Sequence, residues 1–165
     1  MADRHSFDIV SLVDMQEVHN AFNQALKEIR TRYDFKGSKS TLTFLPKERR
    51  IVILADDDFK RKAVIDILQT KLIRRGVPVK AMQYGAVENA SGGMVRQALT
   101  FQCGIDKEQA RLLVRMVKET KRKVQAAIQE DQVRVSGEKI DDLQAVIRHI
   151  READLPFDVQ FVNYR

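Results

Sequence analysis

The stretch VQAAIQEDQVRVSG, residues 124–137, consists of two runs of alternating side chains separated by a short polar segment. A period of two is typical of strands that bury one face, and a short polar segment between two such runs indicates a hairpin. The positions predicted to face inward are Val124, Ala126, Ile128, Val133 and Val135. The opposite positions are polar or small, and none is aromatic: Gln125, Ala127, Gln129, Arg134 and Ser136. The stretch therefore predicts an antiparallel hairpin with one polar face.

The sequence on either side of this hairpin adds two helices and two strands. Before it, ALTFQCG (98–104) has the composition of a strand, and Asp106 with Gln109 has the spacing of a capping box that begins a helix. After it, apolar residues recur at helical spacing over 140–150, and PFDVQFV (156–162) alternates again. The order is strand, helix, strand, strand, helix, strand.

The same order is present in the first half of the chain. Its predicted elements are the strand SFDIVSL (6–12), a helix capped by Asp14 with Glu17 as a capping-box partner, the hairpin 40–57, a helix over 58–75 that stops at Gly76, and the strand PVKAMQY (78–84). VENASGG (87–93) has the composition of a loop and is predicted to be the hinge. We therefore predict an α+β fold with tandem ferredoxin-like (RNA-recognition-like) βαββαβ domains at 1–90 and 91–165, each with an antiparallel sheet and both helices on one face.

Composition restricts the class of protein. The 165 residues carry 29 Lys and Arg against 23 Asp and Glu, a net charge of +6, which permits an anionic partner without requiring one. The apolar runs are far too short to span a bilayer and no signal-peptide core is present, so no membrane partner and a cytoplasmic location are expected. The single cysteine, Cys103, can form no internal disulfide and is predicted to be a buried structural thiol.

The residue types that could support catalysis are scattered. His5, His19 and His149 lack metal-ligand spacing. Asp56–Asp58 could hold a divalent cation, but they immediately precede a predicted helix, where carboxylates cap free N–H groups, and we favour that role. No nucleophile elbow, Walker loop or dinucleotide fingerprint is present. The sequence therefore predicts a protein that is not an enzyme and that has no cofactor.

The stretch RYDFKGSKS (32–40) follows the first predicted helix and allows two interpretations. Gly37 could supply the left-handed turn that ends the helix, with the cations near the negative end of its dipole and Phe35 in the core. Alternatively, rings among cations suit a purine and its phosphates, which makes Arg32, Tyr33, Lys36 and Lys39 candidate nucleotide-binding residues.

A second basic cluster is KETKRK (118–123), at the end of the third predicted helix. Its cations are either a solvated helix end or a receptor for phosphates. The candidate nucleotide-binding residues here are Lys118, Lys121, Arg122 and Lys123, together with Arg134 on the polar face of the hairpin. That face lacks the aromatic residues on which RNA-recognition sheets stack bases.

Four motifs resemble one known family. SFDIVS at the N-terminus, RYDFKGS after the first helix, KVQAAIQEDQVRVSGEKIDDLQAVI (123–147) and QFVNYR at the C-terminus are similar to the YajQ family of bacterial nucleotide-binding proteins. The resemblance runs from end to end. It implies two ferredoxin-like domains that exchange their N-terminal strands, so that strand 6–12 joins the second sheet and strand 97–103 the first.

The resemblance also implies a function. Members of the family are described as nucleotide or nucleic-acid binders, and some as cyclic di-GMP receptors that act through partners in transcriptional control. We therefore expect a non-catalytic protein whose partner is a nucleotide (cyclic di-GMP or GTP-like) or RNA, with a transcriptional regulator as a further partner. The alternative is a protein-interaction scaffold whose nucleotide binding is weak or incidental.

Overall fold

The structure is a computed structural model that describes residues 4–165. These residues group into two compact units, each with its own hydrophobic core. Residues 13–102 form one unit, which we call the contiguous unit. Residues 4–12 together with 103–165 form the other, the discontinuous unit. The chain therefore passes between the units twice, at 12–13 and at 102–103.

Nine strands and four helices are present within residues 4–165. In chain order they are β1 (His5–Val10), α1 (Met15–Thr31), β2 (Thr41–Leu45), β3 (Arg50–Ala55), α2 (Asp58–Arg74), β4 (Met82–Tyr84), β5 (Glu88–Asn89), β6 (Val95–Phe101), α3 (Lys107–Glu119), β7 (Val124–Gln129), β8 (Gln132–Gly137), α4 (Ile140–Glu152) and β9 (Gln160–Val162).

The discontinuous unit has a four-stranded sheet in the order β7-β8-β1-β9, with every neighbouring pair antiparallel. Strand β1 is central, and its Phe7 and Ile9 are completely buried in a core that also holds Leu113 of α3 and Val146 of α4. Burial of such side chains stabilises a fold by about 1.5–3 kcal/mol each. The N-terminal strand is therefore an internal part of a sheet whose other strands come from the C-terminal third of the chain.

The contiguous unit repeats this arrangement with the order β2-β3-β6-β4, and the short strand β5 also pairs with β6. Strand β6 is antiparallel to both β3 and β4, so it takes the central position that β1 holds in the other unit. The predicted tandem ferredoxin-like fold and the exchange of strands are confirmed. The ranges 1–90 and 91–165, predicted from the order of elements, each contribute one strand to the sheet of the other.

The helices cover the sheets through apolar residues at three- and four-residue spacing. In α1 the buried side chains are Val18, Ala21, Ala25 and Ile29, which form one stripe. The other helices bury comparable sets, and these stripes complete the two cores. None of the four helices within residues 4–165 combines the length and the apolar character that crossing a membrane requires.

Two of the helix starts show how far local sequence rules hold. At α3 both bonds of the predicted capping box are present: the Asp106 carboxylate accepts from the Gln109 N–H, and the Gln109 side chain accepts from the Asp106 N–H. At α1 the Asp14 carboxylate accepts from the N–H of Gln16, not from that of Glu17. Asp14 therefore caps α1 as predicted, but the prediction that Glu17 completes a capping box there was wrong.

Three other expectations differ from the structure. The loop 87–93 contains β5, which pairs with β6, so this segment lies inside the contiguous unit. Cys103, predicted to be buried, is exposed, because β6 ends at Phe101 and only an isolated bridge to Leu12 follows. Ile128, predicted to face inward, is 50% exposed, because it lies near the end of an edge strand with a neighbour on one side only.

Candidate functional site

A cleft of about 380 Å³ opens in the discontinuous unit where β7 begins, β8 ends and α4 begins. Its lining residues are Arg4, Lys123, Val124, Gln125, Gly137, Glu138, Lys139 and Asp142. Small-molecule sites usually have volumes of about 300–1,000 Å³, so this cleft is at the lower end of that range. It can take a ligand about the size of one nucleotide unit.

The cleft is lined by charged side chains, and the cations outnumber the carboxylates. Arg4, Lys123 and Lys139 contribute three cations, and Glu138 and Asp142 contribute two carboxylates. One of these carboxylates is already engaged, because Asp142 accepts from Arg122 at 3.4 Å. The remaining charge favours an anionic ligand.

The backbone at the wall of the cleft adds to this preference. Lys139 precedes the first turn of α4 and makes no side-chain capping hydrogen bond, so the positive end of the helix is not covered by a cap at this point. Gly137 lets β7 and β8 approach closely, since a Cβ there would lie 3.0 Å from Val124 Cγ1 and 3.2 Å from the Lys123 carbonyl. The wall is therefore formed by backbone as well as by charged side chains.

The second predicted basic cluster lies at the end of α3 and in the short segment that connects α3 to β7. Lys118 lies in the last turn of α3, and Lys121 adopts the left-handed conformation, with φ at 56°. Arg122 pairs with Asp142, and Lys123 lines the cleft. All four side chains are exposed. Of the four, Lys123 is the one that the structure brings into the cleft, with Arg122 beside it.

Arg134 has a different environment. Its Nε donates to Asp8 Oδ1 at 2.8 Å and its Nη2 donates to Asp8 Oδ2 at 3.4 Å, across the pair of β8 and β1. The Asp8 side chain is only 2% exposed, and its Oδ2 also accepts from Asn163 Nδ2 at 2.8 Å. The hydrogen bond from Arg134 lowers the pKa of the Asp8 carboxyl against the opposing effect of burial. Arg134 is thus already engaged with a buried carboxylate.

A β-bulge aims Asn163 at Asp8. Val162 pairs directly with Asp8, but Ser6 exchanges its backbone hydrogen bonds with Arg165, so two residues of the C-terminal segment stand against one of β1. Asn163 adopts a positive φ of 56°, a conformation that asparagine tolerates better than most residues. The C-terminal motif QFVNYR therefore closes the sheet around the buried carboxylate.

The first predicted cluster, RYDFKGSKS, lies in the contiguous unit. Helix α1 ends at Thr31, and a 3-10 turn follows at Tyr33–Phe35. Phe35 is buried in the core, as one of the two interpretations requires, whereas Tyr33 is exposed. Gly37, with φ at 76°, closes the 3-10 turn rather than α1 itself. The left-handed glycine is confirmed, but it acts one element later than predicted.

The polar groups of this loop are largely satisfied from within the protein. Asp56 accepts a hydrogen bond from the Ser38 hydroxyl and a second, at 2.9 Å, from the Lys39 N–H. The Ser38 hydroxyl lowers the pKa of Asp56. A carboxylate of the protein therefore occupies the position that an anionic ligand would take in a phosphate-binding loop. Lys36 and Lys39 are exposed, and so is Arg32, which pairs with Asp34 at 2.7 Å.

The neighbouring acidic residues cap the next helix. Asp57 accepts from the Lys60 N–H at 2.8 Å, and Asp58 pairs with Arg61 at 2.8 Å. Among residues 4–165, no group of three or more His, Cys, Asp and Glu side chains is arranged to hold a metal ion. The helix-capping interpretation of Asp56–Asp58 therefore holds for Asp57.

We predict that Gly37→Ala lowers the free energy of unfolding by roughly 1 kcal/mol. A Cβ at Gly37 would meet no heavy atom within 4 Å, so the cost comes from the positive φ alone. Chemical denaturation of the variant measures it. The matched control is Lys36→Ala, next in the chain and exposed, which should leave stability unchanged. Equal stability of the two variants would contradict a left-handed requirement at Gly37.

Comparison with known proteins defines the family. The model of the family described as nucleotide-binding protein YajQ-like matches residues 5–165. The chain belongs to this YajQ-like family. It is 60% identical over 160 residues to a protein of Geotalea uraniireducens and 62% identical to one of Citrifermentans bemidjiense, with 97% of this chain and 98% of each relative covered. A relative from Bacillus cytotoxicus is 56% identical over the full length of both chains. All three relatives are named nucleotide-binding protein.

For this YajQ-like chain, sequence reasoning missed most of the cleft. Arg4 and Lys139 are separated by most of the chain, and Gln125 was noted only as part of a polar face. The pairing of β1 with β8 brings these segments together, and no local pattern reveals it. Asp8 was missed too, although an acidic residue inside the apolar strand SFDIVSL is a visible signal that a buried partner exists.

Proposed function

We infer that this protein is a non-catalytic nucleotide-binding protein and that its cleft binds a guanine nucleotide such as cyclic di-GMP. The observation that carries the proposal is the set of three cations, Arg4, Lys123 and Lys139, around a cleft of about 380 Å³ at the uncapped start of α4. Cations and helix starts are the groups that proteins use to hold phosphates. The names of the relatives support binding rather than chemistry.

The lining residues have complementary roles in this proposal. Lys123, Lys139 and Arg4 hold the phosphate, and Gln125 hydrogen-bonds the sugar or the base. The Glu138 carboxylate can only accept hydrogen bonds when ionised, so it favours guanine, which presents two adjacent N–H donors, over adenine. One nucleotide unit fills the cleft, and the bound protein acts through a partner such as a transcriptional regulator.

Replacement of Lys123 and Lys139 together by alanine is expected to weaken the binding of cyclic di-GMP or GTP about tenfold or more. Hydrogen bonds to charged groups contribute about 1.5–3 kcal/mol each when they are formed with a bound ligand. Isothermal titration calorimetry with cyclic di-GMP, GTP and ATP measures the effect. Melting temperature should not change, since both lysines lie at the surface.

The matched control is the double variant Lys107→Ala and Arg115→Ala, which removes the same charge from exposed positions on α3 that do not line the cleft. It should bind nucleotide like the wild type. Equal weakening by both pairs would mean that net charge, not the cleft, governs binding. If wild-type protein gives no heat with any nucleotide up to about 1 mM while it retains a protein partner, the interaction-scaffold alternative is correct.

A further inference from the structure

Strand β7 forms one edge of the sheet in the discontinuous unit, and within residues 4–165 it pairs with β8 alone. Its sequence, VQAAIQ, contains no charge and no proline, and its register with β8 has no bulge. Ala127, Ile128 and Gln129 are exposed. Proteins usually protect an edge strand with charges, proline or a bulge, because its free backbone groups can pair with another strand. None of these three devices protects β7.

The register of the hairpin shows which backbone groups of β7 are free. Gln129 pairs with Gln132 across the two-residue turn 130–131, so this pair forms the backbone hydrogen bonds that close the turn. Antiparallel pairs alternate between hydrogen-bonded and non-hydrogen-bonded ones. The N–H and C=O groups of Ala126 and Ile128 therefore point away from β8, and they can bind a further strand.

The charges at the two ends of β7 have opposite signs. Lys121, Arg122 and Lys123 precede the strand, and Glu130 and Asp131 follow it. All five residues are exposed, although Arg122 also has a carboxylate partner on α4. A strand with one positive end and one negative end is complementary in charge to an antiparallel copy of itself.

We propose that two copies of this chain associate through β7, with the two strands antiparallel and related by a two-fold axis at Ala126. The two four-stranded sheets then join into one continuous sheet. Ala126 exchanges both backbone hydrogen bonds with Ala126 of the second copy. This register places Arg122 opposite Glu130 of the second copy and Lys121 opposite Asp131 of the second copy. The inference concerns association of the chain with itself and is independent of nucleotide binding.

The other edge strands are less suited to such pairing. Strand β2 of the contiguous unit has five residues, but a two-fold axis at Thr43 would place Lys39 opposite Lys47 of a second copy. Like charges in these positions oppose association. Strands β4, β5 and β9 have at most three residues each. Length and charge together therefore favour β7.

Sedimentation equilibrium of the full chain at concentrations up to about 1 mM tests the proposal. A pair of such short strands buries less than the standard interface of about 1,600 Å², so we expect a weak dimer with a Kd on the order of 0.1 mM. Ala127→Lys places two like charges diagonally across the axis, about 7–8 Å apart. This variant should weaken association about tenfold or more. Its melting temperature should match that of the wild type, because Ala127 is exposed.

The matched control is Thr43→Lys, which adds the same charge to the exposed middle of β2 and should leave association unchanged. A pair of charge reversals tests the register. Glu130→Lys and Arg122→Glu should each weaken self-association, because each places like charges opposite one another, whereas an equimolar mixture of the two variants should dimerise like the wild type. The proposal is overturned if the wild type stays monomeric at about 1 mM, if Ala127→Lys associates as tightly as the wild type, or if the mixture stays monomeric.

Discussion

Cutting the chain at residue 90 is expected to leave neither fragment folded. Residues 1–90 contain β2, β3 and β4 but lack β6, the strand that lies between β3 and β4. Residues 91–165 lack β1, which lies between β8 and β9. Each fragment loses the centre of its sheet and a set of buried side chains: Leu99 and Phe101 from one, Phe7 and Ile9 from the other. A sheet without its central strand has unpaired edges and an open core, so loss of cooperative folding follows.

The matched controls divide the chain at the boundaries of the compact units instead. Residues 13–102 hold every strand and helix of the contiguous unit, so this fragment should melt cooperatively. For the other unit, residues 103–165 can be joined through a short glycine linker to residues 4–12. The backbone hydrogen bonds between Ser6 and Arg165 bring those two ends together, and the permuted chain should also fold.

Circular dichroism during thermal unfolding, with hydrogen exchange as a second measurement, compares the four chains. The expected pattern is two unfolded fragments from the cut at residue 90 and two cooperative transitions from the cut at the unit boundaries. Independent cooperative melting of 1–90 and 91–165 would contradict the exchange of β1 and β6 in solution. Failure of 13–102 to fold would show that the contiguous unit depends on the rest of the chain.

The second large effect is expected at Asp8, where Asp8→Asn should lower the free energy of unfolding by about 2–3 kcal/mol. The carboxylate accepts two hydrogen bonds from Arg134 and one from Asn163 while it is almost completely buried. An asparagine amide offers one acceptor oxygen, and its other terminal group is an NH₂ that only donates, so this NH₂ group would face a donor of Arg134 or Asn163. Chemical denaturation at neutral pH measures the difference.

The same variant should change the dependence of stability on pH. The folded protein holds the pKa of Asp8 below its ordinary value, mainly through Arg134. A carboxyl of this kind stabilises the fold at every pH above its unfolded pKa, about 3.9, and this contribution disappears as the pH falls through the lower pKa of the folded state. The wild type should therefore lose stability more steeply below about pH 4 than Asp8→Asn does.

The control for both measurements is Asp66→Asn, which removes the same charge from an exposed position on α2. It should match the wild type at neutral pH and follow it into the acid range. If Asp8→Asn is as stable as the wild type and shows the same acid unfolding, the pair of Asp8 and Arg134 does not contribute to stability.

Sequence reasoning succeeded where a feature depends on neighbouring residues. The hairpin of β7 and β8, the capping box of Asp106 and Gln109, and the positive φ of Gly37 were all predicted, because periodicity, capping and backbone strain act over a few residues. The capping box at Asp14 failed because two N–H groups compete for one carboxylate, and the choice depends on the exact start of the helix.

The candidate sites show the limit of this reasoning. Arg134 was identified as a cation on a polar face, but its partner Asp8 is 126 positions away. RYDFKGSKS was identified as a basic loop, but the carboxylate of Asp56, which satisfies its backbone, comes from the end of β3. In both cases the charge was visible in the sequence and the group that neutralises or engages it was not.

By itself, the sequence determined the order of the four helices and of every strand except β5, and most of their apolar faces, because period, caps and turns are local properties of the chain. The exchange of β1 and β6 was implied by family resemblance, and only the pairing of strands in the tertiary structure established it. Tertiary structure alone decided that Asp8 is buried and that Arg4, Lys123 and Lys139 share a cleft. The physical reason is that these groupings depend on which strands lie side by side. Strand pairing is determined by the burial of both complete cores, not by the local sequence of any one segment.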